Sequence, residues 1–300
     1  MRQHLELREM ELLVALARHQ HFAKAAEACQ ISQPAFSMRI RNLEEKIGRS
    51  IVRRGNRFLG FTEQGEHLLR RARAILEDVK ALEQELGSAD GAVTGTLTIG
   101  VIPTALAFAA QLCTQLFRVH PGIVTRISST SSIAIQQGLD AGTLDAGITY
   151  DDSLSEDMVR LQHLYDESYV LVVPRSMAPE GRTEIPWKDA ADLPMTLLEP
   201  GMQNRRILDR MFREVGAVPQ VISETNGFVA SIIMAQQGLA ATVVPAVLSK
   251  AMGEFRDTVT LPLVEPELRR AICLATPLRT PGLPAAEALC RIADQASDRQ

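Results

Sequence analysis

The chain has 300 residues, 46% of them apolar, with a formal charge of -4 and four cysteines. That length suits two or three domains around sizeable cores, and no apolar run approaches the ~20 residues that span a bilayer. The start, MRQHLELREMELL, alternates charge with leucine and shows neither a secretory apolar core nor a cleavage site, so a cytoplasmic location is expected and no membrane partner.

The net charge hides a polarity. Residues 1–62 hold eleven Lys/Arg and six Asp/Glu, whereas the remainder holds 21 and 30. A basic head on an acidic body predicts a nucleic-acid-binding module joined to a sensor or assembly module. In the head, Leu5–His19 is helical by pattern, with Leu5, Leu12, Leu13, Leu16 and Ala17 opposite Arg8, Glu9 and Arg18. Ala23–Cys29 is a short Ala-rich helix that another helix can cross closely, and Gln30-Ile31-Ser32 makes a turn. Ser32 is a candidate N-cap with Pro34 in the first turn, where its missing N–H costs nothing. The following helix runs from about Gln33 to Leu43, and LEEKIG closes it with Gly48 as C-cap. Phe36, Ile40 and Leu43 face a core, which leaves Gln33, Ser37, Arg39 and Arg41 to point elsewhere. This reads as a helix-turn-helix that sets its second helix in a DNA major groove. Periodicity alone fits equally well an amphipathic helical hairpin with solvated polar residues.

Two β-like stretches, 51–53 and 58–61, flank Gly55-Asn56 and predict a basic hairpin. With Arg53, Arg54 and Arg57 it reads as a wing over the backbone or minor groove; the alternative is a hairpin with a soluble tip. Thr62–Gly87 is a long helix in which Leu68, Ala72, Ile75, Val79, Leu82 and Leu86 are spaced 4-3-4-3-4, the seam of a coiled coil. Its partner is either the rest of this chain or a second copy; a second copy is favoured because two-fold DNA sites need two reading heads. Residues 88–94 form a hinge of small residues.

From Gly95 strands and helices alternate. Strands are predicted at 96–102, 123–129, 144–149, 169–173, 195–198, 221–224, 241–244, 259–263 and 271–275. Helices are predicted at 105–118, 133–141, 204–215, 229–237 and 284–296. Two similar α/β halves with mostly parallel sheets predict a hinged pair of lobes with a ligand between them, at strand carboxyl ends and helix N-termini. Those ends carry Pro103 and Thr104, then Ser131 and Ser132, then Thr149. Across the cleft lie Gln203 and Asn204, then Asn226 and Phe228. Hydroxyls, amides and free backbone N–H groups suit a small anion such as a carboxylate; the alternative is ordinary helix capping. Arg205 reads as a surface residue beside Arg206 and Arg210. The cysteines, Cys29, Cys113, Cys273 and Cys290, form no CxxC pair and read as small buried apolar residues; a redox-sensing pair, Cys29 foremost, is the alternative. No GxSxG, P-loop, GxGxxG or HExxH occurs, His19 and His21 lack further ligands, and neither an enzyme nor a cofactor or metal is expected.

The stretch SQPAFSMRIRNLEEKIG resembles the signature of LysR-type transcriptional regulators, and the match extends upstream through LREMELLVALARHQHFAKAAE and downstream through IVRRGNRFLGFTEQG. LDAGIT, PGI and GLAATVVPAVL resemble family stretches more weakly. The resemblance implies an α/β multi-domain chain: an all-α winged helix-turn-helix (1–62), a linker helix that pairs subunits plus a hinge (63–91), and a two-lobed domain (92–300) like periplasmic binding proteins. Lobe one would be 95–162 plus 268–300, and lobe two 163–267. DNA contacts would fall on Ser32, Gln33, Pro34, Ser37, Met38, Arg39, Arg41, Arg53, Arg54 and Arg57. Effector contacts would include Thr104, Ser131 and Ser132. Implied partners are operator DNA, a small effector, a second copy or a dimer of dimers, and RNA polymerase. Met38 departs from the family, which commonly carries a base- or phosphate-contacting Arg there; Arg39 is one position on, and a Met favours an apolar contact such as a thymine methyl. A different-class alternative is a solute-binding or enzymatic α/β domain with a merely anchoring head.

Overall fold

The computed structural model describes residues 4–54, 58–86, 93–155, 159–278 and 282–297, with Arg54 and Ser297 described through their backbones only. The chain divides into two compact units, residues 1–89 and 90–300.

In the first unit the apolar periodicity folds into α1 (Leu7–His19), α2 (Phe22–Ala28), α3 (Gln33–Ile47), β1 (Val52–Arg54), β2 (Phe58–Phe61) and α4 (Glu63–Leu86). α1 opens with a reciprocal capping box between Glu6 and Glu9. Small Ala25 and Ala26 are buried at the α2 crossing, and Leu12, Leu13, Leu16, Phe36, Ile40, Leu43 and Leu69 fill one core. Arg8 donates to the Cys29 carbonyl at 2.6 Å and so ties α1 to the end of α2. The β1–β2 hairpin is held by rings: Phe22 lies 6.1 Å from both Phe36 and Phe58, edge to face, and Phe58 lies 5.2 Å from Phe61. Backbones meet most closely at Gly65, where an added Cβ would sit 2.0 Å from the Ile51 carbonyl oxygen. Thr62 fixes that approach by donating to the Ser50 carbonyl and accepting from the Gly65 N–H.

The predicted α4 seam divides in two. Of its positions Ala72 is buried in the first unit's core beside Leu69, Leu68 packs against that core and Val79 is half-buried, whereas Ile75, Leu82 and Leu86 are exposed. The turn at Gly55-Asn56 and the hinge at 88–92 lie outside the described residues.

In the second unit the chain runs β3 (Gly95–Val101), α5 (Leu106–Val119), β4 (Ile123–Ser129), α6 (Ser132–Asp140), β5 (Ala146–Tyr150), β6 (Val159–Glu167), β7 (Tyr169–Pro174), β8 (Ile185–Pro186), α7 (Trp187–Ala190), β9 (Pro194–Leu198), α8 (Gln203–Glu214), β10 (Gln220–Thr225), α9 (Phe228–Gln236), β11 (Thr242–Pro245), α10 (Ala246–Met252), β12 (Thr258–Val264), β13 (Arg270–Pro277) and α11 (Pro284–Ser297). Lobe one is a five-stranded sheet in the order β4-β3-β5-β13-β6. β4, β3 and β5 are parallel, and β13 runs antiparallel to β5 and β6. Lobe two carries the sheet β11-β7-β12-β8 and the parallel pair β10-β9, bridged between Met195 and Ala241. Strand β7, YVLVVP, is apolar along most of its length because both its faces are covered: Leu171 and Val173 pack into one cluster and Val172 into another.

Two expectations are corrected here. The sheets are not mostly parallel, because strands returning from the other lobe add antiparallel pairs: β13 in lobe one, and β7 against β11 and β12 in lobe two. The lobe boundary is not at 162/163 but at Ser168, because β6, which the sequence pattern does not predict, pairs with β13 out to Glu167. Among the described residues no helix is long and apolar enough to cross a membrane.

Candidate functional site

Two sites emerge, one in each unit. In the head, Ser32 caps α3 by accepting from the Ala35 N–H at 3.4 Å, Pro34 sits in the first turn, and Gly48 ends the helix with φ 71. Phe36, Ile40 and Leu43 lock one face of α3 into the core. Gln33, Pro34, Met38, Arg39 and Arg41 are exposed, and Ser37 is half-buried. The Gln33 amide donates to the Ser37 hydroxyl at 3.3 Å, so the first turn presents a pre-oriented polar edge. Met38, 59% exposed, stands on the outermost line of the helix, roughly 100° from Arg39. The neighbouring Lys46 is committed elsewhere: its ammonium lies 2.5 Å from Glu9 on α1. Glu44 accepts from the Ile51 and Val52 N–H groups and so fixes the angle at which the hairpin leaves α3. Arg53 is exposed on β1; the Arg54 side chain and all of Arg57 lie outside the described residues.

In the second unit a cavity of about 230 Å³ opens between the lobes. Pro103, Thr104, Ser131 and Ser132 line it from lobe one, and Gln203, Asn204 and Asn226 from lobe two. Thr149 and Phe228, expected there, do not line it. Thr149 is fully buried and donates to the Ser132 hydroxyl at 2.9 Å, bracing a lining residue from behind. Phe228 packs in an apolar cluster with Val172, Leu198 and Ile232. Arg205 is neither surface nor lining: it is buried and pins α8 to the sheet through the Leu198 carbonyl, Glu224 and Asp209 at 2.7, 2.9 and 2.8 Å.

The lining has no ionisable carboxyl or base. Two helices aim their first turns into the cavity. α6 is capped by Ser131, which accepts from the Ala134 N–H, whereas α8 has no side-chain cap. Free N–H groups at the start of α8 and the helix dipoles make the site favour negative charge. Asn204 is the sharpest feature. It is 4% exposed, and neither its amide nitrogen nor its amide oxygen has a partner. A buried amide without partners is costly unless something in the cavity meets both atoms.

Behind the lining lies a network that sequence reasoning missed. Tyr150 lines the cavity and donates to Glu167 at 3.1 Å; its hydroxyl also lies 3.4 Å from that of Thr104. Tyr169 donates to the same carboxylate oxygen at 2.5 Å, while the second oxygen has no partner. Glu167 closes β6 in lobe one and Tyr169 opens β7 in lobe two, so this network straddles a lobe crossing. Burial pushes the Glu167 carboxyl up to about 7, against the opposing pull of the Tyr169, Thr104 and Tyr150 hydroxyls and of Arg270. A faint signal was present: Tyr165, Glu167 and Tyr169 alternate along the chain.

All four cysteines are free and buried. Burial pushes the Cys113 thiol up to about 11 and the Cys273 thiol up to about 12. Cys29 is also raised by burial, with Arg8 pulling the other way. Raised thiols carry little of the reactive thiolate, and none of the four lines the cavity. Among the described residues no group of His, Cys, Asp or Glu is placed to hold a metal.

Residues 7–66 match the family described as "Bacterial regulatory helix-turn-helix protein, lysR family", and residues 90–298 match "LysR substrate binding domain". The chain is 31% identical over 281 residues to a hydrogen peroxide-inducible genes activator of Pectobacterium carotovorum. It is 30% identical over 281 residues to the DNA-binding transcriptional dual regulator OxyR of Escherichia coli. Each comparison covers 92% of this chain and 92% of the relative. Its fold is similar to that of a full-length OxyR variant from Pseudomonas aeruginosa, with TM-score 0.72, 24% identity and 98% of each chain covered.

Proposed function

The chain belongs to the LysR family of bacterial transcriptional regulators, a DNA-binding head joined to an effector-binding domain, and we propose that its effector is a small carboxylate or related oxyanion held between the two lobes. The observation that carries this is Asn204, buried with both amide atoms unpaired at the wall of the cavity. An anion that also offers a hydroxyl or amide hydrogen satisfies both atoms, and the uncapped start of α8 supplies N–H donors to the charge. A volume of about 230 Å³ is smaller than drug-sized pockets of roughly 300–1,000 Å³, which selects a compact molecule.

In this reading the head docks α3 in the major groove through Gln33, Pro34, Ser37, Met38 and Arg39, and Arg41 and Arg53 hold the backbone. Two copies pair through the exposed apolar positions of α4, Ile75, Leu82 and Leu86, and read a dyad-symmetric site in the cytoplasm. Effector binding favours one lobe arrangement and thereby one spacing of the heads. The relatives named for hydrogen peroxide bring thiol oxidation as a second reading, and the buried, raised thiols weigh against it.

A thermal-shift series on the full-length chain with small monocarboxylic acids, which the doubly charged site proposed below does not favour, tests the proposal. A saturable rise in melting temperature that disappears in Asn204→Leu is expected. An equal rise in the wild type and in Asn204→Leu would overturn the assignment.

A further inference from the structure

A second cavity, of about 420 Å³, lies where β12 passes to β13 and the chain returns to lobe one. Its ionised lining is Arg206 and Arg210 of α8, Arg269 and Arg270 at the crossing, with Asp152 and Glu214 opposing them. Arg206 and Arg210 are one helical turn apart on one face of α8. Neither forms an ion pair among the described residues. Arg206 donates to the side-chain amide oxygen of Gln203 at 2.5 Å instead. Arg269 pairs with Glu267, which does not line the cavity, and Arg270 pairs with Asp152. Arg270 also keeps its Nε–H buried and without a partner. The cavity therefore gathers four guanidinium groups against two carboxylates. Guanidinium stays charged at any working pH and its fork matches two oxygens at once.

We propose that this cavity is a binding site for a doubly charged oxyanion, a phosphate or a dicarboxylate, separate from the cleft. Such an anion takes donors from both lobes, Arg270 from lobe one and Arg206 and Arg210 from lobe two, so it clamps the lobe crossing. Two links connect it to the cleft. Gln203 lines both cavities. The Arg270 guanidinium lies 5.9 Å over the ring of Tyr150, which lines the cleft. Occupancy of one cavity therefore biases the geometry of the other, and the coupling is reciprocal.

The test uses the full-length chain at constant ionic strength, with inorganic phosphate, succinate and, as a singly charged control, acetate. Calorimetry and thermal shift are read on the wild type, on Arg206→Gln/Arg210→Gln, and on Asn204→Leu. The expected result is saturable binding of phosphate, succinate or both, weakened at least about tenfold in the double variant and retained in Asn204→Leu, with acetate weaker than either. Which anion binds names the source. Both substitutions are on exposed side chains, so the unliganded melting temperature should hold within about 2 °C. Equal binding in the wild type and the double variant, loss in Asn204→Leu with retention in the double variant, or no saturable binding of either dianion overturns the proposal.

Discussion

The head presents Gln33, Pro34, Met38, Arg39 and Arg41 on the outside of a helix whose other face is wholly buried, whereas the cleft presents Thr104, Ser132, Tyr150 and Asn204 from within the protein. In the head the groups proposed to read DNA are hydrated, and two of them, Arg39 and Arg41, are charged. Their attraction to a polyanion is long-ranged and falls with salt. In the cleft the groups are neutral and desolvated, so they act only at contact but strongly. A surface that must find a long duplex uses exposed charge on a rigid support. A pocket that must choose among small metabolites uses buried dipoles that are expensive to leave unmet. The same chain keeps the two strategies in separate units, each with its own core.

That separation can be broken from either side. The largest effect is expected at Gly65, where any Cβ meets the Ile51 carbonyl. Gly65→Ala should cost the first unit on the order of 4 kcal/mol and lower the temperature of its thermal transition. An unchanged transition would show that the close approach relaxes freely. On the other side stands Glu167. Its carboxyl ionises near 4.5 when unfolded and near 7 when folded. Its contribution is full below about pH 4.5, declines as pH rises to about 7, and is flat above, a span on the order of 3 kcal/mol. Denaturant titrations of the wild type should show this decline, and Glu167→Gln should flatten it. A decline that persists in Glu167→Gln would assign the titration to another group. The smallest effect belongs to Arg53. Arg53→Ala should weaken all DNA sequences by less than about 1 kcal/mol and lower the slope of log affinity against log salt by about 0.9. A loss confined to one sequence would make Arg53 a base reader.

Much of the head is legible in the sequence because its local signals agree. Ser32, Pro34 and Gly48 mark the ends of α3, and Phe36, Ile40 and Leu43 mark its inner face, as the structure places them. The cleft is legible only where a lining residue sits at a strand end or a helix start. Thr149 and Tyr150 are neighbours in β5, so their side chains leave opposite faces of the strand, and Tyr150, not Thr149, reaches the cavity. Arg205 looked like its exposed neighbours Arg206 and Arg210, yet it lies about 100° round the helix from Arg206 and meets Glu224 on β10. β6 was missed because its buried positions, Val159, Leu164, Tyr165 and Glu167, keep no two-residue alternation. Glu167 itself has meaning only once the lobes cross, and chain order does not show where a distant strand such as β13 will return.

The most direct measurement compares the affinity of wild type and Gln33→Ala for a fragment selected from genomic DNA and for random-sequence duplex at one salt concentration. A loss of about 1–3 kcal/mol on the selected fragment with random duplex unchanged is the predicted result. Equal losses on both would contradict the assignment of the exposed edge of α3 as the surface that reads sequence.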